Sequence, residues 1–310
     1  MGVIVDTALP FFALILCGYL AVRLRILDAA AARGLNTFVF WLALPALLLA
    51  NVATSALAEL LDGRFLAVFY GVNGLLYIIA FAVGRLVWAD SPGLAALRSL
   101  GVIWGNYGYL GLPLLTAALG PAAALPTVAV VTCDILVPAT LTIALLERDR
   151  GGGRGLAGLG LALAGLARNP LIVAVVTGAV LSAGGIPLPT AANAFLKLLG
   201  SAAGPCALVA LGASLALSPS GGAERDVTLV AALKLLANPL LVWLAGSHLL
   251  PLEPDKLAAA IMLAAMPTAA SVFVIAQRYE TWVLRASTSV LVTHLGSVAT
   301  LAALLYALGR

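Results

Sequence analysis

The chain has 310 residues, of which 63% are hydrophobic and only 10% are charged. Charged residues make up about 25% of a typical soluble domain, so the composition excludes a water-soluble globule as well as the disordered, collagen-like and disulfide-rich classes. The formal net charge is +4 and no dense basic stripe is present, which excludes the nucleic-acid-binding classes. The sequence therefore indicates a polytopic membrane protein.

Ten apolar segments follow one another along the chain, each close to the length of about 20 residues that a membrane-crossing helix needs. They lie at 3–22, 35–54, 65–87, 99–119, 125–146, 168–184, 192–216, 228–250, 257–277 and 286–308. The stretch 155–167 is too short to cross, and we expect an interfacial lead-in to the sixth segment there. We predict an all-α polytopic membrane protein with ten transmembrane helices and no soluble domain.

The positive charges are distributed unevenly between the two sides of this map. The loops after odd-numbered spans hold twelve of the 17 Lys and Arg residues, and the loops on the other side hold four. Cytoplasmic loops carry the excess of positive charge. We therefore predict a multi-pass protein of the cell (inner) membrane, with both termini outside the cytoplasm.

The two halves of the chain share a weak internal repeat. Three pairs of identical residues recur at an offset of 160, namely Pro10 and Pro170, Gly18 and Gly178, and Pro45 and Pro205. Five spans per half would make the second copy inverted, as in many secondary transporters, although coincidence after trying several offsets is the alternative. We predict a first five-helix repeat at 1–146, a cytoplasmic linker at 147–155 and a second five-helix repeat at 156–310.

Spans four and nine, which occupy matching places in the two halves, each contain a proline in a stretch of small residues. Pro113 lies in GNYGYLGLPLL (105–115) and Pro267 in AAMPTAASVF (264–273). Proline removes a backbone hydrogen bond and clashes with the preceding turn, and bare backbone within a membrane survives only inside protein or beside a wet cavity. Interrupted helices at matching repeat positions point to a transport site, and half-helix N-termini favour anions. Two kinked helices that simply pack well are the alternative.

The order of these segments resembles the auxin efflux carrier family, which includes plant PIN-type auxin carriers and bacterial organic-acid permeases. The resemblance covers essentially the whole chain, and its most specific parts are NYGYLGLPLL in span four and MPTAASVFVIAQRYE in span nine. It implies two inverted bundles of five helices, broken crossover helices 4 and 9, and a substrate held beside their crossing. It also implies that Asn106 faces the carboxylate of the substrate and that Pro113 and Pro267 are the crossover prolines. Bacterial members often carry Asn where this chain has Ser271, which leaves the identity of the substrate open.

From the breaks and the resemblance together we predict a substrate site beside the crossing, completed by backbone amides near the two prolines. Its residues are Asn106, Tyr107, Gly111, Pro113, Pro267, Thr268 and Ser271.

Three ionisable residues lie inside predicted spans, where such groups are costly and often functional. Asp134 is a candidate proton site, His294 is its counterpart at the offset of 160, and Lys234 is a candidate countercharge for Asp134 or for the substrate. Carriers of the resembled family can hold an acid–lysine pair between spans three and eight. Here Asn73 takes the acid's place, so the pair is missing or Asp134 replaces it. Structural roles are the alternative for all three residues.

No cofactor and no metal site are expected, because the three cysteines fall in apolar stretches and no metal-binding motif is present. For coupling we favour protons, or none, over sodium, since span nine lacks the glutamate that the related sodium–bile acid symporters typically place there. Catalytic motifs are also absent, so we do not expect an enzyme.

We predict a secondary transporter that moves a small organic anion, a carboxylate, by alternating access. A passive anion channel and, less favoured, an intramembrane enzyme are the alternatives, together with a receptor that binds without transport. The expected partners are the organic anion and the lipid bilayer, with a homodimer as an open option and no nucleic acid.

Overall fold

The computed structural model of the protein describes residues 2–54, 62–120, 123–151, 168, 170–217 and 224–308. Over these ranges the chain is helical apart from short connections and one isolated antiparallel bridge between Gly105 and Thr268. The all-α prediction is confirmed for this part of the chain. The predicted linker begins inside a helix that continues to Gly151, and its remainder, like the stretch 155–167, lies outside the described residues.

The described part of the first half of the chain forms six helices. They are α1 (Gly2–Arg23), α2 (Ala29–Thr54), α3 (Gly63–Leu86), α4 (Pro92–Ile103), α5 (a π-helical turn Tyr107–Gly111 followed by Leu112–Leu119) and α6 (Ala124–Asp134, a π-helical turn Ile135–Ala139, and Thr140–Gly151).

Six more helices lie in the residues of the second half that the structure describes. They are α7 (Pro170–Ala183), α8 (Thr190–Leu217), α9 (Glu224–Ala232, Leu233–Ala237, Asn238–Leu244 and Ala245–Leu249), α10 (Pro254–Ala264), α11 (Ala270–Arg278) and α12 (Val283–Ala307).

Within the described ranges, five stretches are long and apolar enough to cross a membrane: α2, α3, α8, the part Arg225–Leu249 of α9, and α12. In contrast, α4 and α10 have only 12 and 11 residues, too few to cross alone. Both are buried on nearly all sides, as expected of helices that are apolar all round. The centre of the molecule is therefore occupied by interrupted helices.

Several helices begin at short polar side chains that accept hydrogen bonds from the first turn. Asp28 accepts from Ala31 N at 2.7 Å before α2, and Ser91 accepts from Leu94 N at 3.3 Å before α4. Asp62 caps α3 and also pairs with Lys256 at 2.8 Å; the hydrogen bond from Lys256 lowers the pKa of Asp62. Caps of this kind satisfy N–H groups that have no partner within the helix.

The helices form two groups that mix the halves of the chain. In the first group α1 packs on α8, and α2 packs on α7 and α8; the second group contains α3–α6 and α9–α12. The resemblance implied two bundles of five helices, one from each half, and the packing does not separate the halves in that way.

Glycines allow the close contacts within the first group. A Cβ atom at Gly18 of α1 would lie 2.0 Å from the carbonyl oxygen of Val209, and one at Gly212 of α8 would lie 1.9 Å from that of Ile15. Without hydrophobic attraction between helices in lipid, such close backbone packing is a main source of helix association. The glycines of α1 and α8 therefore hold the first group together.

One end of the molecule, which we call the arginine-rich end, collects the connections 24–28, 87–91 and 279–282 and the C-terminal end of α6. Arg150 Nη2 donates to the Arg278 carbonyl at 2.9 Å, and Gly93 N donates to Asp149 Oδ2 at 2.7 Å. The distribution of Lys and Arg predicted that these connections lie on the same side of the membrane, and in the structure they contact each other.

A buried ion-pair network lies at the same end. Arg98 of α4 is 0% exposed and pairs with Asp90 and with Asp226 of α9, which also accepts from Arg285 of α12 at 2.8 Å and from Trp282 Nε1 at 3.2 Å. Removing one partner of such a network leaves a buried charge uncompensated. The network therefore joins α4, α9 and α12 at this end.

Candidate functional site

The interruptions of α4–α5 and α10–α11 cross each other in the interior. After α4 ends at Ile103, Trp104 is extended, and after α10 the chain is extended around Ala269. Asn106 N donates to the Pro267 carbonyl at 2.8 Å, and Ala269 N donates to the Trp104 carbonyl at 2.9 Å. The backbone groups that one break exposes are thus satisfied by the other, as a break inside a membrane requires.

The break near span nine lies at Pro267, as predicted, but the break in span four does not lie at Pro113. It lies at 104–106, and the π-helical turn Tyr107–Gly111 separates it from Pro113. The structure describes the backbone of Pro113 but not its side chain. A wider turn supplies the extra residue that accommodates a proline without ending the helix. The break therefore lies at the start of the predicted stretch 105–115, and the expectation that Pro113 causes it was wrong.

Gly105 permits the break in span four. A Cβ atom there would lie 2.4 Å from the ring of Tyr107 and 3.1 Å from Cβ of Met266. Gly111, another predicted site residue, is buried, and its N–H donates to the Asn106 carbonyl at 3.0 Å. Gly105 thus permits the close contact at the crossing, and Gly111 belongs to the turn that follows it.

Asn106 and His294, predicted for different roles, are in contact. Asn106 is 4% exposed, and its Nδ2 lies 3.1 Å from His294 Nε2, while His294 Nδ1 lies 2.8 Å from the Val290 carbonyl. Because a carbonyl only accepts, Nδ1 carries the proton in the neutral ring and Nε2 accepts from Asn106. This orients the amide of Asn106, whose second N–H and oxygen remain for other partners.

Lys234 binds the end of the broken helix α4. It is 0% exposed, and its Nζ donates to the Ile103 carbonyl at 2.8 Å, which also accepts from the Tyr107 hydroxyl at 2.8 Å. A cation is favoured at the C-terminus of a helix, where the carbonyls lack partners. The ion pairs of the described residues do not include one between Lys234 and Asp134.

Asp134 is held by a tyrosine that the sequence did not single out. The hydroxyl of Tyr70 in α3 lies 2.8 Å from Asp134 Oδ1 and 2.9 Å from the Val130 carbonyl. Asp134 is 2% exposed, and its Oδ2 has no hydrogen-bond partner within the described part of the chain. One oxygen of a buried carboxyl group is thus available to a proton.

The hydrogen bonds of Asn73 go to residues other than Lys234. Its Nδ2 donates to the Phe69 carbonyl at 2.8 Å, and its Oδ1 accepts from Asn238 Nδ2 at 3.0 Å. The two amides join α3 to α9 without charge, at the place where the resembled family can hold an acid–lysine pair.

Thr268 and Ser271 differ in whether their hydrogen-bonding groups are already used by the protein. The Thr268 hydroxyl donates to the Gly101 carbonyl at 2.7 Å, and its N–H donates to Thr293 Oγ1 at 3.1 Å. Ser271 is half-buried and makes no hydrogen bond with the described residues. It lies in the first turn of α11, where Ala269 offers no side-chain cap. Thr268 therefore supports the crossing, whereas Ser271 and the first turn of α11 keep unused donors.

The apolar helices and the buried crossing of two interrupted helices define an integral membrane transporter. The chain belongs to the membrane transport protein family, the auxin efflux carrier family, whose model matches residues 3–154 and 156–305. The resemblance is thereby confirmed, and the protein is a transporter and not an enzyme.

Curated relatives match over nearly the whole chain. A protein of Rhizobium meliloti named a putative malonate transporter is 34% identical over 307 residues, which is 99% of this chain and 96% of the relative. The uncharacterized transporter YfdV of Escherichia coli K12 is 26% identical over 300 residues, 94% and 93% of the two chains. An uncharacterized transporter of Methanothermobacter thermautotrophicus is 26% identical over 270 residues, 85% of each.

Proposed function

We propose that the protein is a secondary transporter that moves a small carboxylate by alternating access and binds it beside the crossing. The observation that carries this proposal is the buried amide of Asn106, which the antiparallel backbone contact holds at the meeting point of four helix ends. Two of these ends, those of α5 and α11, are N-termini, which favour negative charge. An amide donor between them suits a carboxylate.

The buried cation supports an anionic substrate as well. The ammonium group of Lys234 lies 3.4 Å from the hydroxyl of Tyr107, the residue that follows Asn106. When protonated, Lys234 brings positive charge to the crossing while it caps α4, and it forms no ion pair with an acid in the described part of the chain. The substrate class follows the relative from Rhizobium meliloti, so malonate or a similar carboxylate is the first candidate.

The proposed topology has ten crossings, arranged as an inverted repeat of five and five. The arginine-rich end then lies in the cytoplasm of a cell with the protein in its inner membrane, and both termini lie outside. The contacts among the connections at that end support this arrangement. For coupling we propose Asp134 as a proton site, because its Oδ2 has no partner among the described residues; sodium is the less favoured ion.

Replacing Asn106 tests the proposed function. In proteoliposomes, Asn106→Ala should reduce uptake of radiolabelled malonate to about a tenth or less, since a hydrogen bond to a charged group contributes about 1.5–3 kcal/mol. Asn193→Ala, near the N-terminus of α8, is the matched control and should transport normally. Unchanged uptake by a well-inserted Asn106→Ala protein would remove Asn106 from the site.

The same vesicles separate a carrier from a passive channel. Malonate preloaded inside should stimulate the entry of labelled malonate, because a carrier exchanges substrate across the membrane. Flux without this counterflow would favour a channel.

A further inference from the structure

A cavity of about 260 Å³ lies between the two helix groups at the arginine-rich end. Arg33 and Asn36 of α2 and Ala210 of α8 line one wall, and Phe273 and Gln277 of α11 line the other. None of the residues that the sequence predicted for the substrate site is among its lining residues. The cavity is therefore distinct from the crossing, although it shares α11 with it.

Asn36 indicates that the cavity is built for a polar ligand. Its side chain is 5% exposed, and its Oδ1 is buried without a hydrogen-bond partner within the described residues. Buried polar groups are nearly always paired, and an unpaired one calls for a missing partner. An amide turns by half a revolution to offer either its oxygen or its N–H groups, so Asn36 can serve a hydroxyl or a carboxylate.

Arg33 gives the cavity its charge. It is the only formally charged side chain in the lining, and no carboxylate among the described residues forms an ion pair with it. A guanidinium group matches a carboxylate with two parallel hydrogen bonds. On the opposite wall Gln277 supplies a second amide, so positive charge and hydrogen-bonding groups face one small space.

The position of the cavity connects it to the crossing. Phe273 lies about 5 Å along α11 from the first residue of that helix, and Gln277 lies one turn further on the same face. Phe273 is 1% exposed. An anion that leaves the crossing toward the arginine-rich end would therefore reach the cavity once it has passed the ring of Phe273.

We propose that this cavity is a second binding site for a small carboxylate, in which Arg33 pairs with the anion and Asn36 and Gln277 hydrogen-bond it from opposite walls. This proposal rests on the proposed function, because it assumes that the transported anion occupies the cavity on its way between the crossing and the arginine-rich end. Since α2 and α11 belong to different helix groups, the anion bridges the two groups while it is bound.

The test measures how malonate protects a cysteine placed in the cavity wall. Ala29 also lines the cavity, and Ala29→Cys is made after the native Cys17, Cys133 and Cys206 are replaced. Malonate should slow labelling of this cysteine by a small thiosulfonate reagent in purified protein, whereas malonamide, which is neutral and of the same size, should not. Arg33→Gln and Asn36→Leu should raise the malonate concentration for half-protection about tenfold or more.

Two controls keep this result separate from the proposed function. Arg25→Gln removes a positive charge from the connection that precedes α2, outside the cavity lining, and should leave protection unchanged. Asn106→Ala should lose transport and keep protection, because the two sites are distinct. Protection that survives both Arg33→Gln and Asn36→Leu, that malonamide gives equally well, or that Asn106→Ala abolishes, would overturn the second site even if transport is normal. Protection with no transport in the parent protein would instead refute the proposed function.

Discussion

At the scale of single residues, the orientation of one amide organises the candidate site. His294 accepts a hydrogen bond from Asn106 at 3.1 Å, and the Val290 carbonyl fixes which ring nitrogen does so. The side chain of Asn106, which is predicted to bind the substrate, is therefore held in one orientation by His294, a residue that need not touch the substrate. His294 acts as a positioning residue in this account.

Substitution of His294 separates positioning from simple packing. His294→Gln keeps an acceptor within reach of Asn106 and should retain a near-normal KM for malonate uptake. His294→Leu fills the space without an acceptor and should raise KM by roughly 3- to 10-fold, the equivalent of one net hydrogen bond, with little change in the amount of inserted protein. Equal KM values for the two variants would show that the hydrogen bond does not matter.

Asp134 is the proposed site at which proton binding is coupled to transport. Because Asn has the same shape and can still accept from Tyr70, Asp134→Asn should keep the fold while it removes the titratable group. If protons bind here, uptake by the parent protein varies with external pH, and uptake by the variant stays flat. Retained pH dependence in Asp134→Asn would exclude this carboxyl group as the proton site.

At the level of helices, the prolines in the described part of the chain accompany wider helical turns more often than breaks. π-helical turns precede Pro45, Pro113 and Pro239, and a fourth contains Pro138. In each case the extra residue in the turn relieves the clash between the proline ring and the preceding carbonyl. The two helices are broken where an extended segment of the other helix supplies hydrogen-bond partners for the exposed backbone groups.

Gly105 provides a test of the crossing at this scale. In Gly105→Ala the added Cβ would lie 2.4 Å from the ring of Tyr107, which is itself held by the Ile103 carbonyl. Overpacking of this kind typically costs about 1–3 kcal/mol, so the melting temperature should fall by several degrees. Gly108→Ala is the matched control, since a Cβ at Gly108 meets nothing within 4 Å. Equal melting temperatures for the two variants would argue against the tight crossing.

The sequence could predict part of this arrangement and not the rest. Composition and span length predicted an all-α membrane protein, and Pro267 marked one break, because these effects depend on local residues alone. The break in span four was misplaced, because whether Pro113 ends a helix depends on packing that tolerates a wider turn. The contact between Asn106 and His294 joins residues 188 positions apart, and no local pattern predicts it.

At the scale of the whole molecule, two helix groups meet around the interrupted helices. The first group is joined by close glycine contacts, and the second contains the crossing and the buried network of Arg98 and Asp226. The contact between α11 and α2, together with the cavity beside it, lies between the groups. In the proposed alternating-access mechanism the two groups move against each other at this boundary, so a ligand bound near it would influence the exchange of access.

Equilibrium binding of radiolabelled malonate to purified protein tests the proposed substrate site without relying on transport. If the crossing grips the carboxylate, Asn106→Ala should bind malonate about tenfold or more weakly than the parent protein, and Asn193→Ala should bind it equally well. The substituted proteins should melt at similar temperatures without ligand, which shows that the fold is intact. Malonate binding of unchanged affinity in Asn106→Ala would show that the crossing of the two broken helices is not the substrate site.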